Sequence, residues 1–419
     1  MRSITETLSV LHRAAWVIPM GSPPVQDGGV WVHSGRVTAV GRFRDLRTRC
    51  PSHTAIHDQG DCALMPALVN AHTHLELTGL QGLICLPQPN FARWLEELLP
   101  LRRGLSVEDQ RTALEEGERC LFEEATALCA DITNGATFTL PEGSPWVARK
   151  SFLEVIGFNQ PGLESVLGDE HYKSSLEVPG TKTCGGLAAH ACYSTAGAVI
   201  REAKEVSRKG QLLFSIHVAE HEDEIEFLRR GTGFCRDLLE SMGKWVSGWK
   251  PPGTTPVQYL DRLGVLDEGT LLVHCVHLSR RDWEIIAARG CSVCFCPRSN
   301  RNLNVGEANI PEAVRWNIPW ALGTDSLASN ERLSLFAEAC LAMESHPEIS
   351  PDVFLRAATL GGAEALHMQG EYGTIRPGSR AVLISVSLPI SIREVQLSET
   401  ILYRGREGEY QWVHHPGAD

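Results

Sequence analysis

Eight short apolar runs, alternating with helical patterns, constrain this chain more than any other feature. They read CALMPALVN (62–70), TALCADIT (126–133), SFLEVIG (151–157), GGLAAH (185–190), LLFSIH (212–217), TLLVH (270–274), CSVCFC (291–296) and PWALGTD (319–325). Runs this short and this apolar suit strands buried on both faces. Between them, TAGAVIREAKEVSRKG and SRRDWEIIAARG carry helical spacing and end on Gly, a frequent helix stop. Buried strands alternating with helices predict parallel βα units. Eight units suit a closed (β/α)8 TIM-type barrel. An open doubly wound sheet is the structural alternative.

A barrel needs about 250 residues, fewer than the 419 present. Both ends read differently from the middle. DGGVWVHSGRVTAVG holds two apolar runs around Ser34 and Gly35, a hairpin signal. After about residue 367, GTIRPGSRAVLISVSLP is turn-rich and strand-like. We expect a discontinuous β-sandwich built from 1–65 and 368–419, with a barrel over 66–367. WVSGWKPPGTTP (245–256) is the strongest loop signal inside the barrel.

Composition excludes several classes. Hydrophobic residues at 43% and charged residues at 21% are globular values and argue against wholesale disorder. A net charge of −12 argues against a basic nucleic-acid footprint. No run of 18 apolar residues occurs, so no membrane span is expected. The opening MRSITETLSVLHRAAWVIPM lacks a continuous apolar core and a small-residue cleavage site, so no secretory leader is expected. The 13 Cys are odd in number and scattered, many in apolar runs, which points to free thiols and a cytoplasmic location.

The chemistry-bearing residues gather at the ends of the runs. His72 and His74 close the first run in NAHTHLE, and residues two apart on a strand face the same way. Two imidazoles so placed can meet one ion at about 2.0–2.1 Å. His217 ends the fifth run, with Glu220 three residues on. His274 ends the sixth, inside HCVH, and Asp325 ends the eighth. Barrel enzymes assemble their sites at these strand ends, and His72 and Asp325 lie about one barrel length apart. CSVCFC lacks the PCxxC and HxE pattern of cytidine-type zinc deaminases, and strand geometry puts Cys294 and Cys296 on one face, which suggests core. No Walker A or Rossmann glycine pattern is present.

On these residues the chain resembles the metal-dependent amidohydrolase superfamily, in its aminohydrolase and chlorohydrolase branch. The resemblance covers nearly the whole chain, including WVIPM and DGGVWVHSGRVTAVG near the start. It implies one divalent metal on His72, His74, His217 and Asp325, with zinc expected and iron or manganese compatible. It implies that His274 holds the attacking water or the substrate, and that Glu220 shuttles protons. Asp325 would both ligate the metal and accept the water's proton. Binuclear members use a carboxylated Lys after the fourth strand, where GGLAAHACYS offers His190, which supports one metal. His190 resembles a substrate-contacting His of the nucleoside deaminases.

Within the branch, NAHTHLELTGL, FARWLEELLPLRR, AAHACYS, HVAEHEDE, CFCPRSNRNLNVG and LGTDSLASN are most similar to the 6-amino-6-deoxyfutalosine deaminases of menaquinone biosynthesis. The resemblance implies release of ammonia from a 6-aminopurine nucleoside. HCVH is common instead in S-adenosylhomocysteine and methylthioadenosine deaminases, which leaves those substrates open. Adenosine, guanine and triazine chemistry also stay open. So does a different class, a non-catalytic barrel acting as a binding module. The benzoate of aminodeoxyfutalosine calls for a cation, with Arg102, Arg103, Arg298 and Arg301 as candidates. Glu76, Ser299 and Asn300 are further substrate-contact candidates, and Trp94 is expected in the core. The expected partner is a small molecule, with neither nucleic acid nor membrane. Such barrels are commonly dimers, so a homodimer stays open.

Overall fold

The computed structural model describes residues 9–134, 146–168 and 184–415, apart from the side chain of Cys184. Part of the leader reading rests on residues 1–8, outside this range.

Each of the eight apolar runs contributes a parallel strand to one sheet, the first run through its second half only. They are β6 (Leu68–Thr73), β7 (Thr126–Thr133), β8 (Ala148–Val155), β9 (Cys184–Ala191), β10 (Leu213–Val218), β11 (Thr270–His274), β12 (Ser292–Phe295) and β13 (Trp320–Leu322). Their spatial order follows the chain, as in a (β/α)8 barrel. Closure comes just beyond β13, where Thr73 bridges Asp325 in parallel. Two buried side chains pin this seam. Asn70 Nδ2 donates to Thr324 Oγ1 at 2.7 Å, and Thr73 Oγ1 donates to the Asp325 carbonyl at 2.9 Å.

The outer helices form where the spacing predicts. Gly197–Lys209 buries Val199, Ile200, Ala203 and Val206 and stops at Gly210. Arg280–Arg289 starts on a capping box, Ser279 with Asp282, and ends on Gly290 at φ 69°. The predicted loop carries neither helix nor strand from 245 to 255, and at its end Pro256 starts helix Pro256–Leu263, yet the loop is anchored. Trp249 stacks on Phe227 at 4.7 Å, and Trp245 stacks on Phe158 at 6.0 Å.

The two ends of the chain meet in a second, seven-stranded mixed sheet. It contains β1 (Ser9–Val17), β2 (Val25–His33), β3 (Arg36–Arg42), β4 (Ala55–Asp58), β5 (Cys62–Pro66), β14 (Leu383–Ser387) and β15 (Tyr410–His414). β5 lies between β1 and β14. The first apolar run is therefore two strands, because Cys62–Pro66 joins this sheet and Leu68–Thr73 starts the barrel. Val17, Val30, Leu64 and Leu383 pack on one another in the sheet's own small core. On this topology we propose the division into 66–367 and a body from both ends, with one departure. Helix Leu397–Arg406 packs on barrel helix Leu335–Ser345, with Gly405 against the Phe336 ring.

Candidate functional site

The strand ends carry local irregularities that aim the polar side chains. Between β9 and β10 the register jumps from Ile216 opposite Ala189 to His217 opposite Ala191, so His190 is the extra residue of a bulge. Its freed carbonyl accepts a hydrogen bond from His217 Nδ1 at 2.7 Å. β6 likewise carries one extra residue between Asn70 and Thr73. His274 and Asp325 adopt left-handed backbone at φ 71° and 55°. That conformation is uncommon for residues with a Cβ, and it clusters at functional sites. Gly323 permits the seam to close, because a Cβ there would lie 2.8 Å from both Cys294 Sγ and His72 Cβ.

The predicted ligands converge. His217 Nε2 lies 3.3 Å from His72 Nε2 and 3.4 Å from His74 Nε2. Asp325 Oδ1 is 3.7 Å from Nε2 of both His72 and His74. His217 Nδ1–H donates a hydrogen bond to the His190 carbonyl, the tautomer that leaves Nε2 as the ligand atom. Burial pushes the imidazole of His72 down to about 4 and that of His74 well below its usual value, which keeps both neutral. Nε2 lone pairs aimed at one another this closely repel unless a proton or a cation lies between them. Three imidazoles and one carboxylate are a donor set that fits a divalent metal. Burial alone would raise Asp325, but His72, His74 and His274 outweigh it and hold the carboxylate well below its usual range.

Two side chains face this convergence from the side. Glu220 Oε1 is 3.6 Å from His274 Nε2. Burial pushes the Glu220 carboxyl up to about 8, against a weaker opposing pull from His217. A carboxyl in that range can give and take protons near neutral pH. His274 Nδ1 donates to Asn300 Oδ1 at 2.9 Å, which turns Nε2 toward Glu220.

The convergence opens into a cavity. Its polar end holds His74, Glu154, His190, His217, Glu220, His274 and Asp325. Its flank is apolar, with Leu77, Phe91, Trp94, Leu95, Leu98, Leu99, Ile156, Tyr193, Leu238 and Met242. Trp94 is buried as expected, with Nε1 donating to the Ala328 carbonyl at 2.9 Å, and its ring also lines the cavity. His221 is a buried prop, stacked on Phe91 at 3.9 Å.

Several predicted substrate contacts lie elsewhere. Ser299 Oγ donates to Asp325 Oδ2 at 2.6 Å, beside Ser329 Oγ at 2.7 Å, so Ser299 orients the carboxylate from behind. Asn300 stands behind His274 and lines a different pocket, together with Arg301. Their helix, Pro297–Asn302, turns this face away from the cavity. Glu76 is enclosed by Arg102 at 3.2 Å, by Asn134 Nδ2 at 2.8 Å and by the Asn134 amide at 3.1 Å. Arg298 is engaged by Glu331 and Asn330, and Arg103 faces a side pocket next to Glu76. Arg102 and His190 do reach the cavity. Arg102 also pairs with Glu154 at 3.6 Å, one cation against two buried acids. Cys291, Cys294 and Cys296 are buried free thiols in the core.

Glu154 is the residue that sequence reasoning missed. It lies near the end of β8, with its side chain 0% exposed. Burial would raise it, but His190, Arg102, His74 and His217 together bring it down to about 2. An acid inside the apolar run SFLEVIG was the available signal, because carboxylates are rarely buried without a partner.

Comparisons with known proteins agree with this geometry. The amidohydrolase family model matches residues 63–403. The 5-methylthioadenosine/S-adenosylhomocysteine deaminase of Nitratidesulfovibrio vulgaris strain Hildenborough is 30% identical over 392 residues, covering 87% of this chain and 80% of that protein. The aminodeoxyfutalosine deaminase of Deinococcus radiodurans is 31% identical over 351 residues, covering 80% of each. The fold matches Helicobacter pylori aminofutalosine deaminase in complex with methylthio-coformycin, at TM-score 0.84 and 23% identity, over 97% of this chain and 99% of that one. With its barrel, its convergent strand-end ligands and these relatives, the chain belongs to the amidohydrolase family.

Proposed function

We propose that the protein is a hydrolytic deaminase of 6-aminopurine nucleosides, with 6-amino-6-deoxyfutalosine as preferred substrate in menaquinone biosynthesis. The observation that carries the reading is the pairing of a metal-type donor set with Glu220, a buried carboxyl pushed up to about 8. The matched relatives, named as deaminases of adenosine-like nucleosides, support it.

His72, His74, His217 and Asp325 would hold one divalent metal, zinc by preference. When bound, such a cation supplies Lewis-acid activation of a water near neutral pH. Asp325 would serve as the base that accepts the proton of the attacking water. Glu220 donates a proton to the ring nitrogen beside the amine-bearing carbon, then takes the hydroxyl proton of the adduct and passes it to the departing amine, and the proton held by Asp325 returns to Glu220. The water oxygen replaces the amine, the C–N bond breaks, and ammonia leaves. His274 Nε2, held by Asn300 through Nδ1, stabilises charge at the reacting carbon. The apolar flank excludes bulk water and receives the substituent on the sugar.

A specific observation favours methylthioadenosine as a second reading. Arg102 already faces two buried acids, which weakens its call on a substrate benzoate, and the flank is apolar. Ammonia release by zinc-loaded protein from aminodeoxyfutalosine, methylthioadenosine, S-adenosylhomocysteine, adenosine and guanine tests both readings. Fastest turnover of aminodeoxyfutalosine is expected. No ammonia from it alongside turnover of methylthioadenosine would overturn the substrate assignment.

A further inference from the structure

Glu154 has one oxygen in use and one idle. Oε2 accepts from Asn134 Nδ2 at 3.0 Å and faces Arg102 at 3.6 Å. Oε1 is buried and has no hydrogen-bond partner among the described residues, although the residue lines the cavity. An idle buried carboxylate oxygen is costly, and native structures normally supply its donor. A ligand in the cavity that Glu154 lines can supply that donor.

The position narrows its chemistry. Glu154, His190 and His217 bring ligand atoms within 4.8 Å of one another. A second cation does not suit this trio. The Nδ1 of His217 is committed to the His190 carbonyl, and its Nε2 already faces His72 and His74. An ion at Glu154 would have to share that one lone pair. A neutral donor meets no such conflict. An ionised carboxylate only accepts hydrogen bonds, so the ligand must present O–H or N–H. The amine of the base is taken up at Glu220 and His274, which leaves the hydroxyls of the sugar.

We propose that Glu154 reads the ribose: its Oε1 accepts a hydroxyl hydrogen of the substrate, selecting ribonucleosides over deoxynucleosides, free bases and triazines. This rests on the nucleoside reading above. His190 flanks the same hydroxyl, with its Nδ1 held by Ser194 Oγ at 2.6 Å and its Nε2 left for the ligand.

The test compares kcat/KM for adenosine, 2′-deoxyadenosine and 3′-deoxyadenosine in wild type, Glu154→Gln and Glu154→Ala, with metal content and Tm measured on each. Wild type is expected to prefer adenosine over one of the deoxynucleosides by roughly 10- to 100-fold, as for an unpaired buried group. That preference shrinks in Gln, which keeps a weaker acceptor, and vanishes in Ala, while one metal per chain is retained. Variants that slow all three substrates by the same factor would overturn the proposal. So would loss of a second metal equivalent on substitution. Wild type that deaminates no nucleoside at all would overturn the functional reading itself, a result distinct from an unchanged ribose preference in an active enzyme.

Discussion

Replacing Glu220 by Gln keeps the size of the side chain and removes its proton chemistry. The wild-type carboxyl is fully buried and stands at about 8 rather than 4.5, chiefly because burial disfavours its charge. At pH 7, one unit below that value, about nine-tenths of the molecules carry the proton. The acid is then lost as pH rises through about 8. A bound cation favours the carboxylate, so the basic limb of the kcat/KM profile falls at or below that value. Positioned acid–base groups contribute about 100- to 10,000-fold, or roughly 3–5 kcal/mol of barrier. Ammonia release by Glu220→Gln should fall by that factor and lose the basic limb. Glu220 lies outside the donor convergence, so metal content should stay at the wild-type value. A variant that binds metal normally and keeps full turnover would refute the proton-shuttle role.

Asn300→Ala removes the acceptor that turns His274, and should lower kcat by about 10- to 100-fold with metal content intact; an unchanged kcat would remove Asn300 from the account. Gly323→Ala forces a Cβ to 2.8 Å from His72 Cβ and Cys294 Sγ, and should cost about 1–3 kcal/mol in denaturant unfolding. Glu224 is buried, with Oε1 unpartnered among the described residues, and is pushed from 4.5 up to about 8 by burial and by Glu220. Its native value exceeds its unfolded one, so its contribution to stability is complete below pH 4.5 and is lost as pH rises through about 8. Glu224→Gln should therefore gain Tm relative to wild type as pH rises from 4.5 to about 8; a constant difference over that range would contradict the assignment. Asp325→Asn should lose the metal, and with it the Tm increase that excess zinc gives wild type, about 2.7 kcal/mol at 100 times Kd.

The barrel was legible because its strands are short, apolar and regularly interrupted, and because each key side chain follows its strand directly. His72, His74, His217, His274 and Asp325 meet for that reason. The boundary inside CALMPALVN was hidden, because Cys62–Pro66 and Leu68–Thr73 are equally apolar and only their partners differ. Ser299 and Asn300 follow their strand end, but their side chains meet Asp325 and His274 rather than line the cavity. Strand position does not fix which way a short following helix turns its polar face. The enclosure of Glu76 was not legible, because its partners, Arg102 and Asn134, are distant in sequence. Helix Leu397–Arg406 sits in a turn-rich tail, and packing on Leu335–Ser345 decides its state more than its own composition does.

The central claim is that the His72–His74–His217–Asp325 convergence holds one metal that serves deamination with Glu220. Metal analysis and ammonia release, measured on the same zinc-titrated samples with the nucleoside panel, test it most directly. Ammonia release should rise with occupancy and saturate at one zinc per chain. Saturation of a tight site at one zinc per chain with no ammonia from any nucleoside, or full activity in metal-free protein, would contradict it.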